Sequence, residues 1–175
     1  FFTSGNHIWG CEAFTPNLVD PNIHVLRPAN YPDQFPGRGF EIIEVDGTKV
    51  LLINLLGRVF MKDEIEDPFV AGKNILDDHP GIISIIDFHA EATSEKMALG
   101  YYLDGRTSAV LGTHTHVQTA DEKILSGGTA FISDVGMCGA GESVLGIKKE
   151  IIIEKFLTQL PQSHKVAGGD SIFNA

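Results

Sequence analysis

The sequence predicts an α/β domain, and three observations carry that reading. Short β-branched runs alternate with helix-period segments, the pattern of strands and helices packed in layers. The 175 residues are the length of one ordinary domain. The histidine-bearing clusters fall just after predicted strands or at a glycine, where ligand crevices form in open α/β sheets.

Each element has its own local reason. Pro21 to Phe40, with Pro28, Pro32, Pro36, Gly37 and Gly39, reads as an irregular surface excursion. Glu41–Val45 and Thr48–Asn54 flank Asp46-Gly47, a two-residue hairpin turn, and the nearly all-apolar second run implies a strand covered on both faces. Asp67 to Asp78 has weak helical character and stops at His79-Pro80-Gly81. Ile82–Phe88 is a short, buried, β-branched strand. Ser94 to Leu103 fits a helix with Ser94 as its cap and Asp104-Gly105 at its end. Ala109–Leu111 and Thr129–Ser133 are further short strands. Ile147, Ile151, Ile152, Phe156, Leu157 and Leu160 form the apolar face of an amphipathic helix that Pro161 terminates.

Composition narrows the function. Hydrophobic residues at 43% and charged residues at 21% exclude a disordered chain, a collagen and a coiled coil. Thirteen basic against 23 acidic residues leave a formal charge of −10, which argues against an extended nucleic-acid groove. An anionic substrate would need positive charge supplied locally. No run approaches the ~18–20 apolar residues of a membrane span, so a soluble, cytoplasmic protein is expected. Cys11 and Cys138 are too few and too far apart for a disulfide framework or zinc ribbon, and read as reduced thiols.

Three clusters concentrate the chemistry: Gly5-Asn6-His7, Asp87-Phe88-His89-Ala90-Glu91, and Gly112-Thr113-His114-Thr115-His116. In an extended segment His114 and His116 share a face, and neutral imidazole is the commonest metal ligand. Singly, each cluster has a blander reading: a turn for Gly-Asn, a hydrogen-bonded core residue for His89, a solvated edge for His-x-His. Their shared setting makes a joint site the stronger reading. His24, His79 and His164 lack that setting and read as surface or loop residues. Glu91, Glu95 and Lys96 read as the start of a solvated helix, while Asp134 and Arg58 stay ambiguous.

The order Gly-Asn-His, then an isolated His after a strand, then Gly-x-His-x-His resembles the calcineurin-like metallophosphoesterase superfamily. Within it, Asn30, Asp87–Lys96, Gly112–Asp121 and Ser133–Met137 resemble the YmdB-like bacterial phosphodiesterase family. The resemblance implies a two-sheet α/β sandwich with a two-metal site at the strand ends. It places Asn6, His89 and His114 on one metal, His116 on the other, and His7 as the catalytic histidine beside the leaving group. The family also uses a first-strand Asp and a bridging acidic residue in an N-terminal βαβ portion. Only five residues precede Asn6, so residues 1–175 are expected to be a single domain incomplete at the N-terminus and lacking a C-terminal strand. As given, the chain is expected to bind metal weakly and to be inactive.

For the intact protein, the resemblance implies hydrolysis of a small phosphodiester, a 2′,3′-cyclic nucleotide, by a hydroxide bridging two metal ions. Imidazole, amide and carboxylate donors suit iron, manganese or zinc better than magnesium or calcium, and the resemblance favours iron or manganese among them. His7 as imidazolium would protonate the departing alkoxide. An amidohydrolase also uses His-x-His, but early in a barrel of ~200 residues or more. The rival of another class is a catalytically silent regulatory protein of the same fold that binds metal or nucleotide. Homo-oligomerisation is expected if sheet edges are left open.

Overall fold

Parallel pairing of β-branched runs organises the molecule, which a computed structural model describes over residues 1–174. The N-terminal strand β1 (Phe2–Thr3) pairs in parallel with β2 (Val25–Leu26), and a 3₁₀ helix over Gly5–Gly10 follows β1 directly. The predicted hairpin forms as β3 (Phe40–Val45) and β4 (Thr48–Leu56) around Asp46-Gly47, both at positive φ. From there the chain alternates α1 (Pro68–Asp78), β5 (Ile83–His89), α2 (Thr93–Tyr102) and β6 (Ala109–Thr113). The short strands β7 (Lys123–Ile124), β8 (Ala130–Ile132) and β9 (Gly139–Ala140) come next, then α3 (Lys149–Thr158) and β10 (Ser171–Ile172).

The main sheet has six strands in the order β3-β4-β5-β6-β8-β7. Its four inner strands β4, β5, β6 and β8 are parallel, and antiparallel β3 and β7 close the two edges. Parallel neighbours need a crossover, which α1 supplies between β4 and β5 and α2 between β5 and β6. Register brings Leu56 opposite His89 and His89 opposite Thr113, so three strands end along one line. β9 and β10 form a separate antiparallel ladder.

Leu51, Ile53, Ile86, Phe88, Leu99 and Val110 are fully enclosed in the main core. Four consecutive residues of β4, Ile53 to Leu56, are buried, which confirms a strand covered on both faces. A smaller core of Ile8, Leu18, Tyr31 and Leu56 seats the N-terminal 3₁₀ helix on the end of β4. Asn30, wholly buried, staples that end: its amide accepts from Leu56 N and donates to the Leu56 and Glu66 carbonyls.

Three local expectations are corrected. Ser94 does not cap α2; the cap position is Ala92, with no side-chain bond, because the helix starts one residue before Ser94. Pro161 does not end α3. The chain turns out at Gln159 with φ 58, and left-handed backbone cannot continue a right-handed helix. Of the apolar face expected there, Ile147 and Leu160 lie outside α3, Ile151 and Ile152 are half-buried, Phe156 and Leu157 are exposed, and no residue of the helix is buried. Asp67, by contrast, caps α1 by accepting from Phe69 N and Val70 N.

Candidate metal centre

Two glycines allow the three clusters to meet. Gly5 has φ +72, and a Cβ on it would lie 2.6 Å from the His89 ring, so only glycine lets the N-terminal turn pack this closely on His89 at the end of β5. Ser4 N and Gly5 N both face Asn54 Oδ1 at 3.4 Å, which ties that turn to β4. Gly112 is closer still: a Cβ there would stand 1.8 Å from the Ser133 carbonyl oxygen. The two strand ends therefore touch through backbone.

His89 and His114 come into direct contact, with ring centroids 4.8 Å apart and His89 Nε2 3.0 Å from His114 Nδ1. Their outer nitrogens are engaged elsewhere. Thr113 Oγ1 donates to Asp87 Oδ1 at 2.7 Å, so its oxygen is left to accept from His89 Nδ1–H at 3.0 Å. On the far side His114 Nε2 lies 2.9 Å from Glu91 Oε2, which accepts its proton. In neutral rings those bonds leave both facing nitrogens as bare lone pairs. Two lone pairs at 3.0 Å repel unless a proton or a cation lies between them.

Asn6 Oδ1 adds a third unsatisfied acceptor, buried and without a hydrogen-bond partner among the described residues. A buried acceptor of this kind normally has a partner. The spacing of the two imidazole nitrogens matches that of donors bound ~2.1 Å from one ion at roughly right angles. His89 and His114 therefore present a nitrogen pair whose spacing fits one cation. His7 and His116 are both exposed, and neither bonds to this trio. His116 has φ 66 and His114 φ 109, left-handed backbone unusual for residues with a Cβ. Among the described residues no group of three or more His, Cys, Asp or Glu closes into a metal cage.

The electrostatics agree with a cation-accepting pocket. Burial, then the nearby His114, Lys96 and His7, push His89 down to about 4, so its ring is neutral and ligand-ready at neutral pH. Burial raises the Asp87 carboxyl, an effect that the Thr3 and Thr113 hydroxyls oppose. For Asp134 burial also acts upward, but bonds from Lys96, Thr115 and Gly136 N outweigh it and hold the carboxyl below its ordinary value.

Sequence reasoning missed the residues behind the histidines. Glu95 is buried and accepts from Arg58 N and Val59 N, shaping the loop after β4. Lys96 is wholly buried and pairs with Asp134 at 2.9 Å. Neither belongs to a solvated helix start, as expected above; Glu91, in contrast, is exposed before α2. A signal was present, since Lys96 shares the helical stripe of Leu99 and Leu103, both fully buried. His24 and His164 are exposed and His79 half-buried, outside the site as expected. Cys11 and Cys138 are free and exposed.

Nitrogen and amide donors gathered at the carboxyl ends of parallel strands, behind glycine-shaped turns, are the arrangement of a calcineurin-like metallophosphoesterase. The chain belongs to the YmdB-like protein family, whose model matches residues 1–175. It is 47% identical over 171 residues to the 2′,3′-cyclic-nucleotide 2′-phosphodiesterase of Bacillus subtilis, covering 95% of this chain and 63% of that protein. A crystal structure of a hypothetical protein from Thermus thermophilus superposes with a TM-score of 0.89 at 44% identity, over 97% of this chain and 66% of that one. A novel phosphatase from Mycoplasma pneumoniae gives a TM-score of 0.84 at 34% identity, over 94% of this chain and 60% of that one. The α/β fold of the metallophosphoesterase type is thus borne out, and family membership points in general terms to a metal-dependent site. The chain spans about three-fifths of the length of the curated relatives it matches. No helix among the described residues is long and apolar enough to cross a membrane.

Proposed function

We propose that this chain carries the histidine half of the active site of a metal-dependent phosphodiesterase that hydrolyses a small phosphodiester, a 2′,3′-cyclic nucleotide. The observation that carries the reading is the His89 Nε2 to His114 Nδ1 contact at 3.0 Å; the buried, unpartnered Asn6 Oδ1 supports it. The activity of the Bacillus subtilis relative supports the substrate class.

Asn6, His89 and His114 would hold one ion and His116 a second, with iron or manganese suited to such donors. Bound metal supplies Lewis acidity toward the phosphoryl oxygens and a water acidified enough to attack at neutral pH. The chain's own residues supply the rest. The Asp87–Thr113 bonds keep the His89 Nδ1 proton in place, so Nε2 stays free to bind. Glu91 does the same for His114 from the opposite side. His7, next to Asn6 on an exposed turn, is placed to give its proton to the departing alkoxide, a contribution of ~10²–10⁴ in rate. The cluster also answers the charge problem of a −10 chain, since cations rather than side chains would meet the phosphate.

Assay of the intact protein on 2′,3′-cAMP with added Mn²⁺ tests this. Turnover is expected of the intact protein rather than of residues 1–175 alone, and His7→Ala in the intact protein should retain metal while losing diester hydrolysis. Saturable binding without product would identify a silent metal- or nucleotide-binding protein instead, and undiminished turnover by His7→Ala would remove His7 from the mechanism.

A further inference from the structure

Lys96 is a lysine whose side chain is 1% exposed, reaching from α2 to an Asp134 side chain that is 2% exposed. A buried ion pair is seldom the cheapest way to stabilise a core, because desolvation offsets most of the attraction. Two apolar side chains would fill the same space. What they could not do is accept hydrogen bonds, and Asp134 accepts four. Oδ2 takes Lys96 Nζ at 2.9 Å, Thr115 N at 3.0 Å and Thr115 Oγ1 at 2.7 Å, while Oδ1 takes Gly136 N at 2.9 Å.

Thr115 is the residue between His114 and His116, the two that stand at φ 109 and 66. Left-handed backbone on two residues bearing a Cβ is costly and persists only where the surroundings impose it. Here the imposing group is visible: the amide N–H and the hydroxyl of Thr115 both donate to one carboxylate, itself fixed by a buried ammonium. Asp134 is anchored in turn, since Thr119 Oγ1 accepts from Asp134 N and Thr119 N donates to Asp134 O, both at 3.0 Å.

We infer that Lys96 and Asp134 are positioning residues, a buried charged clamp that holds the Thr115 turn in its strained form so that His114 and His116 face the ligand site. This rests on the metal-dependent reading above for its purpose, but the clamp itself is a statement about Thr115. Lys96 supplies the positive charge that keeps Asp134 ionised, and Asp134 converts that charge into two bonds on the turn.

The experiment separates the two ideas. In the intact protein, Mn²⁺ affinity is measured for the parent, Asp134→Asn, Thr115→Val and Thr115→Ser, alongside thermal melting and amide hydrogen exchange of the metal-free forms. Thr115→Val keeps the shape and removes the hydroxyl bond; Thr115→Ser keeps the bond. Asp134→Asn is expected to weaken Mn²⁺ binding ~10–100-fold and Thr115→Val about tenfold, with Thr115→Ser close to the parent, as for other groups that orient metal ligands. The Thr115 amide should exchange at least tenfold faster in Asp134→Asn than in the parent. Parent-like Mn²⁺ affinity in both Asp134→Asn and Thr115→Val, with cooperative melts, would overturn the positioning role. If the parent itself binds no Mn²⁺, the metal reading fails and amide exchange decides the clamp: faster exchange at Thr115 upholds it, equal exchange sinks it. Should Asp134→Asn not fold, the Thr115→Val and Thr115→Ser pair decides the same question.

Discussion

Helices α2 and α3 have ten residues each and opposite surroundings. α2 sinks Glu95 and Lys96 below the surface together with Leu99 and Gly100. α3 buries nothing and leaves Ile153 at 52%, Phe156 at 77% and Leu157 at 80% exposure. Between these two helices, burial follows packing rather than hydrophobicity. Charges are enclosed where they brace the histidine turn and the loop after β4, and apolar side chains stay outside where no element of the described chain covers them.

The sharpest way to break this comparison is to remove the α2 charge. Lys96→Met leaves Asp134 buried without its cation and should cost about 3–5 kcal/mol in urea unfolding. Lys155→Met on α3 should cost nothing measurable, and equal losses at the two sites would dissolve the contrast. Adding Asp134→Asn to Lys96→Met should recover part of the loss, because the uncompensated charge is gone.

Acid should expose the same asymmetry with a somewhat smaller effect. An unfolded His89 takes its proton near 6.5, whereas the folded one, depressed by burial and neighbouring positive charge, takes it only near 4. Between those values the unfolded chain binds more protons. The contribution is therefore present above pH ~6.5 and is lost as pH falls toward 4, by up to about 3 kcal/mol in metal-free protein. Urea midpoints across that range check it, and the slope should flatten in His89→Gln.

Further from the site the effects shrink. Asp67→Ala removes two capping bonds from α1 and should cost ~1 kcal/mol, read from the same unfolding curves. Leu157→Gln on α3 should change stability by less than ~0.5 kcal/mol, since an exposed side chain has little to lose. A large loss there would show that α3 is covered in solution.

Much of the fold was legible because it is locally encoded. Asp46-Gly47 between two strand patterns leaves the chain little choice but a hairpin, and the strand patterns at Ile82–Phe88 and Ala109–Leu111 became adjacent parallel strands. The site was legible as three clusters, and the structure brings His89 and His114 into contact, with Gly5 of the first cluster packed against the His89 ring. What could not be read was the layer behind them. Lys96 looks like any helix-surface lysine in sequence, and its partner lies 38 positions away in the strand-end segment after β8. The same holds for the Thr113 hydroxyl that fixes the His89 proton: threonine is common in strands, and nothing local assigns its bond to Asp87.

By itself, then, the sequence determined the element types, the places where glycine must stand, and the donor atoms available for a metal. Those depend on backbone torsions and side-chain chemistry, which are properties of short segments. Tertiary structure alone decided which nitrogens point inward, which residues stay outside the donor set, and that a lysine and an aspartate should be buried to hold a strained turn. Those outcomes depend on distances between residues far apart in the chain, and on desolvation, which acts only once the layers have closed around them.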